Sequence, residues 1–165
     1  MRKSVLVFLL GWAMTSYAQD EPKVESLHKV YFLNPSYEFE AALSPTATFT
    51  VNPGLSFTLG ARYSSASGTE TLFSIYPSIN AGFRHYYNLV KRENNGRFIR
   101  GNSGNFLTAV FFLYGGELAS SGVDTPDVTI LPALASGLQR TYNKNFNLSL
   151  MLGMGYYSAR SGDRT

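Results

Sequence analysis

From Phe146 to Tyr157 the chain reads FNLSLMLGMGYY. Every second residue is Phe146, Leu148, Leu150, Leu152, Met154 or Tyr156, and the residues between are Asn147, Ser149, Met151, Gly153, Gly155 and Tyr157. A strict period of two predicts a β-strand with one apolar face. The same period recurs along most of the chain. From Asn34 to Leu43 the apolar set is Pro35, Tyr37, Phe39, Ala41 and Leu43, and Glu38 and Glu40 lie on the other face. From Ala47 to Tyr63 the odd positions run from Ala47 and Phe49 through Pro53 to Leu59 and Tyr63, and every even position is Thr, Asn, Gly, Ser or Arg. The alternation passes through Asn52-Pro53-Gly54 in register, which predicts a bulge or kink there and not a hairpin. From Phe73 to Leu89 the odd face is apolar, and the even face carries Ser74, Tyr76, Asn80, Gly82, Arg84 and Tyr86. Thr129 to Tyr142 sets Ile130, Pro132, Leu134, Leu138 and Tyr142 against Ala133, Ala135, Gly137, Gln139 and Thr141. Phe106 to Tyr114 is apolar on both faces and is the least clear segment. No helical period follows residue 18.

Six such segments joined in sequence order form an up-and-down meander. Ser44–Thr46 and Asn143–Asn145 have the length of tight turns. The other connections are Ser64–Leu72, Val90–Asn105 and Gly115–Val128.

Alternating strands suit both a soluble sandwich and a membrane barrel, and the content of the polar face separates them. Here that face is Ser, Thr, Asn, Gly and Tyr, with few charges. Only 15% of the chain is charged, against about 25% in soluble domains. Small polar side chains suit the crowded lumen of a narrow barrel, and Leu, Phe, Val, Ile and Tyr suit a lipid face. Tyr31, Tyr63, Tyr87, Tyr142 and Tyr156 fall near segment ends, where girdle aromatics belong. The fold expected is therefore all-β: an antiparallel up-and-down transmembrane β-barrel. A secreted soluble barrel of lipocalin type is the alternative.

The first residues agree with that destination. Arg2 and Lys3 precede the apolar run Ser4 to Met14, and Ser16 and Ala18 put small residues at the cleavage positions. Residues 1–18 thus read as a secretory signal peptide cleaved near Ala18, and residues 19–165 as the barrel domain. With no cysteine, a lipid anchor, a disulfide and thiol chemistry are excluded. Net charge is +3. Losing Arg2 and Lys3 leaves 12 basic against 11 acidic residues, which gives no footprint for nucleic acid. The expected location is the outer membrane of a Gram-negative bacterium, as a monomer in contact with outer-membrane lipid.

Three stretches carry a resemblance: LNPSYEFEAALS, FRHYYNLVKRENNGRFIRGNSGNFL and GLQRTYNKNFNLSLMLGMGYY. The chain resembles a largely uncharacterised family of small outer-membrane β-barrel proteins of Bacteroidota-type bacteria. The family's recurring elements fall on Tyr86–Arg92, Gly101–Asn105 and Gly137–Tyr142. The resemblance implies location and fold and assigns no activity. Its members continue past the Gly-Tyr-Tyr strand with a loop and a closing strand, whereas this sequence stops at SARSGDRT. Strand parity leads to the same expectation. With short turns on the periplasmic side, a strand from Val24 to Leu33 must precede the six segments and another must follow them. That makes eight strands in the intact family, with the last missing here. Either the sequence is truncated or the barrel closes in another way.

The candidate chemistry is an interior charge network. Glu38, Glu40, Arg62 and Arg84 share the inward parity, and charges in a narrow lumen must pair. A carboxylate pair could also do acid/base work, but nearby arginines would hold both acids ionised. His85 falls on the apolar face, where the family resemblance places Tyr. His28, beside Lys29, is expected to be solvated. No catalytic, cofactor-binding or metal residues are expected. The connection Val90–Asn105 holds Lys91, Arg92, Arg97 and Arg100 against Glu93. It reads as a solvated loop, or as a basic loop for lipid head groups or an anionic envelope polymer. Gly101, Asn102, Gly104 and Asn105 read as turn formers. The expected function is an outer-membrane barrel with a plugged polar lumen and a structural or interaction role in the envelope. A barrel enzyme or small-ligand transporter is the alternative.

Overall fold

The computed structural model describes residues 23–65, 68–121, 126–142 and 146–161. The signal-peptide expectation and the turn Asn143–Asn145 lie outside them. The chain is mostly antiparallel β-sheet, curled into a half-barrel. Its elements are β1 (Leu27–Tyr31), β2 (Ser36–Ser44), β3 (Ala47–Ser64), β4 (Gly68–Tyr86), α1 (Leu89–Asn94), β5 (Asn105–Gly115), β6 (Ala119–Ser121), β7 (Val128–Tyr142), β8 (Phe146–Gly155) and β9 (Ser158–Arg160). The sheet order β1-β2-β3-β4-β5-β7-β8 follows the sequence, with β6 paired to β4 and β9 to β7. This is the expected meander. β1 and β8 form its edges and pair with no further strand among the described residues.

Two of these strands are interrupted. Between the pairs Ser78↔Tyr114 and Ile75↔Ala119, the four residues Gly115 to Leu118 face only Tyr76 and Pro77. The extra residues bulge out and split β5 from β6. β8 and β9 keep one register along β7, and the break between them faces Pro132, which has no N–H to donate.

The alternation holds almost throughout. In β2, β3 and β4 the even positions point into the curl and the odd positions out. β3 pairs with β4 without a shift from Ala47↔His85 to Ser64↔Gly68. This corrects two expectations. Ser64–Leu72 is not a long connection, because backbone hydrogen bonds extend the hairpin through residues with no apolar period; Gly68, at φ 77°, begins β4. Nor is Asn52-Pro53-Gly54 a bulge. The ladder with β2 skips from Gly54 to Val51 around Pro53, and the irregularity sits instead at Ala42/Ser44. Gly54 is needed because a Cβ there would lie 2.2 Å from the Cβ of Ser36.

The segment Phe73–Leu89 also ends early. The chain leaves the sheet at Tyr86 and turns into α1, a six-residue helix too short to show a helical period in sequence. No helix among the described residues is long and apolar enough to cross a membrane.

The polarity of the fold is inverted relative to a water-soluble domain. Among the described residues, five hydrophobic residues are buried and twelve polar or charged ones are. Large apolar side chains instead cover the outer face, among them Phe49, Phe57, Phe83, Phe111, Leu134 and Leu152. β5 resolves its ambiguity in the same frame: Phe106 and Thr108 are buried inside, and Leu107 and Phe111 are exposed. Tyr63, Tyr87, Tyr142 and Tyr156 are exposed. Tyr31 is a correction to the girdle set. In β1 Leu27, Lys29 and Tyr31 take the inward parity, and Tyr31 lines the interior beside Glu38 and Arg84.

Candidate functional site

The curl brings four charged side chains together. Glu38 and Glu40 project inward from β2, and Arg84 from β4 on the far side of β3. Arg84 donates from both terminal nitrogens to Glu38, at 2.9 Å to Oε1 and 2.8 Å to Oε2. Its Nη1 also lies 3.6 Å from Glu40 Oε2, and the guanidinium stands over the Phe106 ring, 5.1 Å from its centroid. Lys29 completes the set from β1. Its Nζ donates to Glu38 Oε1 at 2.9 Å, to Glu40 Oε2, and to Gln139 Oε1 at 2.9 Å. Glu40 Oε1 accepts two more hydrogen bonds, each 2.7 Å, from Thr48 Oγ1 and Tyr86 Oη. Two carboxylates thus face two cations, and all four are almost fully shielded from solvent.

This is the interior network expected of Glu38, Glu40 and Arg84. The side chain of Arg62 lies outside the described residues, and its backbone pairs with Glu70 at the far end of the β3–β4 hairpin. Lys29 is the member that pattern reading missed. The inward set of β1 mixes Leu27, Lys29 and Tyr31, so no polar face announces itself. The one signal for it was the need for a strand before β2, which brings Lys29 opposite Glu38.

Beneath the network the segment between β4 and β5 folds back into the end of the curl. Tyr86, Leu89, Phe106 and Val24 form a small apolar cluster there, with Ile99 packed against it. The Gly-Asn-Ser-Gly-Asn run is held by polar bonds on every side. Asn102, at φ 57°, donates from Nδ2 to the Glu25 carbonyl at 2.9 Å and accepts from the Glu25 N–H at 2.7 Å. The Gly101 carbonyl accepts from Gln139 Nε2 at 2.9 Å and from Thr141 Oγ1 at 3.1 Å. Ser103 Oγ accepts from the Thr141 N–H at 2.8 Å. The Asn105 N–H donates to Asn88 Oδ1 at 2.7 Å. The turn-forming role expected of Gly101, Asn102, Gly104 and Asn105 is thus part of a larger one, since this run plugs one end of the half-barrel. Gln139 joins the two layers, accepting from Lys29 above and donating to the plug below.

The basic loop splits. Lys91, Arg97 and Arg100 are exposed. Arg92 is half-buried and donates to the Phe98 carbonyl at 3.0 Å. Arg140, outside the loop in sequence, joins it in space. His85 points outward from β4, away from every charged interior group. His28 is exposed on the outer side of β1, where its Nδ1 is bonded to Tyr37 Oη and its ring lies 4.9 Å from that of Phe39. Among the described residues no group of three or more His, Cys, Asp or Glu could hold a metal ion. Above the network a cavity of about 210 Å³ remains inside the curl, reached by Tyr31, Asn52, Asn80 and Ser149.

No protein-family model, curated protein or solved structure matches the chain. Parts of the second and third motif stretches meet at the plug: Tyr86, Leu89 and Gly101 to Asn105 from one, and Gln139 to Thr141 from the other.

Proposed function

We propose that this chain is an outer-membrane β-barrel protein with a plugged polar lumen, serving a structural or interaction role in the cell envelope. The observation that carries this reading is the inverted polarity of the sheet. Twelve buried polar residues against five buried apolar ones, behind an outer face of Phe, Leu, Ile, Val and Tyr, suit hydrocarbon outside and a wet or ion-paired interior. A lipocalin-like soluble barrel needs the opposite, an apolar interior behind a polar surface.

The resting state in a bilayer is a closed barrel of eight strands. The free edges of β1 and β8 would each leave a row of peptide groups unpaired in hydrocarbon, at several kcal/mol apiece. A further strand between them removes both edges. The bond from Lys29 on β1 to Gln139 on β7 supports a narrow closure, since it spans the interior next to the gap. The ion-paired layer and the plug beneath it fill one end of the curl among the described residues, which favours a structural or interaction role over transport. The carboxylates are each locked by two cations, which favours a structural part for them over acid/base work.

Expression of the full chain in a Gram-negative host, followed by membrane fractionation and carbonate washing, tests the reading. The protein is expected in the washed outer-membrane fraction, with a heat-dependent shift on gels. Recovery in the soluble periplasmic or secreted fraction would overturn it.

A further inference from the structure

Arg140 stands on the outward parity of β7 at the plug end. Its guanidinium is fixed there by neutral acceptors: the Gly104 and Gln139 carbonyls, both at 2.7 Å, and Asn105 Oδ1 at 2.6 Å. These bonds aim the cation without neutralising it. Arg92 approaches from α1, and Arg97 stands near it. Partial burial, and then the Arg140 and Arg97 charges, push the Arg92 guanidinium below the usual arginine range. Among the described residues none of the three enters an ion pair, and the buried Nε of Arg92 has no hydrogen-bond partner. Arg92, with a buried nitrogen that has no partner, and Arg140, held only by neutral acceptors, form with Arg97 a cationic site that lacks an anion among the described residues.

The outer face next to this cluster is grooved. A furrow of about 540 Å³ runs from His85, Leu107 and Ser136 toward mid-sheet. It shares Phe83, Ala109, Leu134 and Met154 with a second furrow of about 680 Å³ that reaches Phe111 and Pro132. Its floor is low because Ala81 and Ala109 are the outward residues between rows of Phe and Leu. Ser136, at the end of the groove, and Arg140 share the outward face of β7, with Leu138 between them.

We propose that the Arg92, Arg97 and Arg140 cluster and this groove form one binding site for an anionic phospholipid, with the phosphate on the arginines and an acyl chain along the groove. The inference rests on the membrane reading above. In the orientation that puts the plug end toward the periplasm, the inner leaflet of the membrane supplies the phospholipid. Charge complementarity selects the occupant: a zwitterionic lipid would bring its own cation to a site already holding three.

The test folds the full chain into vesicles of equal parts phosphatidylglycerol and phosphatidylcholine with identical acyl chains. The protein is then extracted in a neutral maltoside, and retained lipid is counted by native mass spectrometry. Phosphatidylglycerol is expected to be retained about tenfold over phosphatidylcholine. Arg97→Gln, which breaks no side-chain bond of the fold, is expected to lower that ratio about threefold. Arg92→Gln with Arg140→Gln should bring it near unity. Ala109→Phe, which fills the groove, should reduce retention of both lipids. Arg160→Gln, at the opposite end of β7, should change nothing. Equal retention of the two lipids by the parent chain, or an Arg160→Gln effect as large as that of Arg97→Gln, would overturn the site while leaving the barrel reading intact. Failure of the parent chain to enter the vesicles at all, seen as no heat-shifted band, would overturn both.

Discussion

Arg84 holds both carboxylate oxygens of Glu38 from two strands away, at 2.9 and 2.8 Å, with β3 passing beneath the pair. A bidentate pair shielded inside the curl is fixed in geometry and costly to break on one side only.

Arg84→Met is therefore expected to destabilise the fold by about 3–5 kcal/mol, because it leaves Lys29 alone against two carboxylates. Adding Glu38→Met should recover much of that loss, since Lys29 and Glu40 then remain as a balanced pair with Thr48 and Tyr86 still bonded to Glu40. Adding Glu40→Met should recover less, because it strands those two hydroxyls. Urea unfolding in detergent of the three singles and both doubles measures the order. Simple additivity in the Arg84–Glu38 cycle would show that the two side chains do not interact.

Asn102 is the hinge of the plug. Its left-handed backbone at φ 57° suits Asn or Gly better than any residue with an ordinary side chain. Its amide also bonds the Glu25 backbone in both directions. Asn102→Gly should lose the two hydrogen bonds while keeping the backbone, and Asn102→Ala should lose them and add strain. The alanine variant is thus expected to be the less stable by about 1 kcal/mol. Urea midpoints compare the two. Equal midpoints would mean that the positive φ costs nothing here.

Gly137 sits opposite the ring of Phe106. A Cβ at residue 137 would lie 2.5 Å from Phe106 Cζ and 2.7 Å from the Leu150 carbonyl oxygen. Gly137→Ala should therefore cost about 1–3 kcal/mol by overpacking. Phe106→Leu in the same chain should relieve only the share due to the ring, because the Leu150 carbonyl belongs to the β7–β8 ladder and cannot withdraw. Full recovery in the double variant, read from the same unfolding curves, would place all the strain on the ring.

How far these features were legible depends on the distance over which each is specified. Glu38, Glu40 and Arg84 lie on inward faces by a local rule, the period of two, so their meeting could be anticipated before any coordinates. Lys29 obeys the same rule, but its strand has only five residues and Leu27 shares its face, so no contrast marks it. Phe106 could not be assigned a side, because β5 is apolar on both faces and only the plug decides which one turns in. The six residues of α1 are too few for a 3.6-residue period to emerge. The plug was legible only as turns. What makes it a plug is Gln139, 38 residues from Gly101 in sequence, and such a bond leaves no local trace. The same holds for Arg140 beside Arg92.

Leu150 and Ser149 are adjacent on β8 and point to opposite sides of the sheet. Leu150 is 56% exposed on the outer face, opposite Leu138 on β7, and Ser149 lies opposite Gln139 and lines the interior cavity. In a bilayer, Leu150→Arg places a charge in hydrocarbon near mid-strand, at about 2–4 kcal/mol, and assembly should fail or fall sharply. Ser149→Arg adds a cation to the interior of the curl, where among the described residues Lys29 and Arg84 already face two carboxylates. Its cost is expected to be smaller, because polar neighbours and the cavity can solvate it. Ser149→Gln, equally inward and uncharged, should be nearly silent. The fraction of each variant showing a heat-shifted band after folding into phosphatidylcholine vesicles ranks the three. In aqueous buffer a water-facing Leu150 would tolerate arginine well, so an unimpaired Leu150→Arg chain in vesicles would mean that the outer face of β8 does not meet lipid.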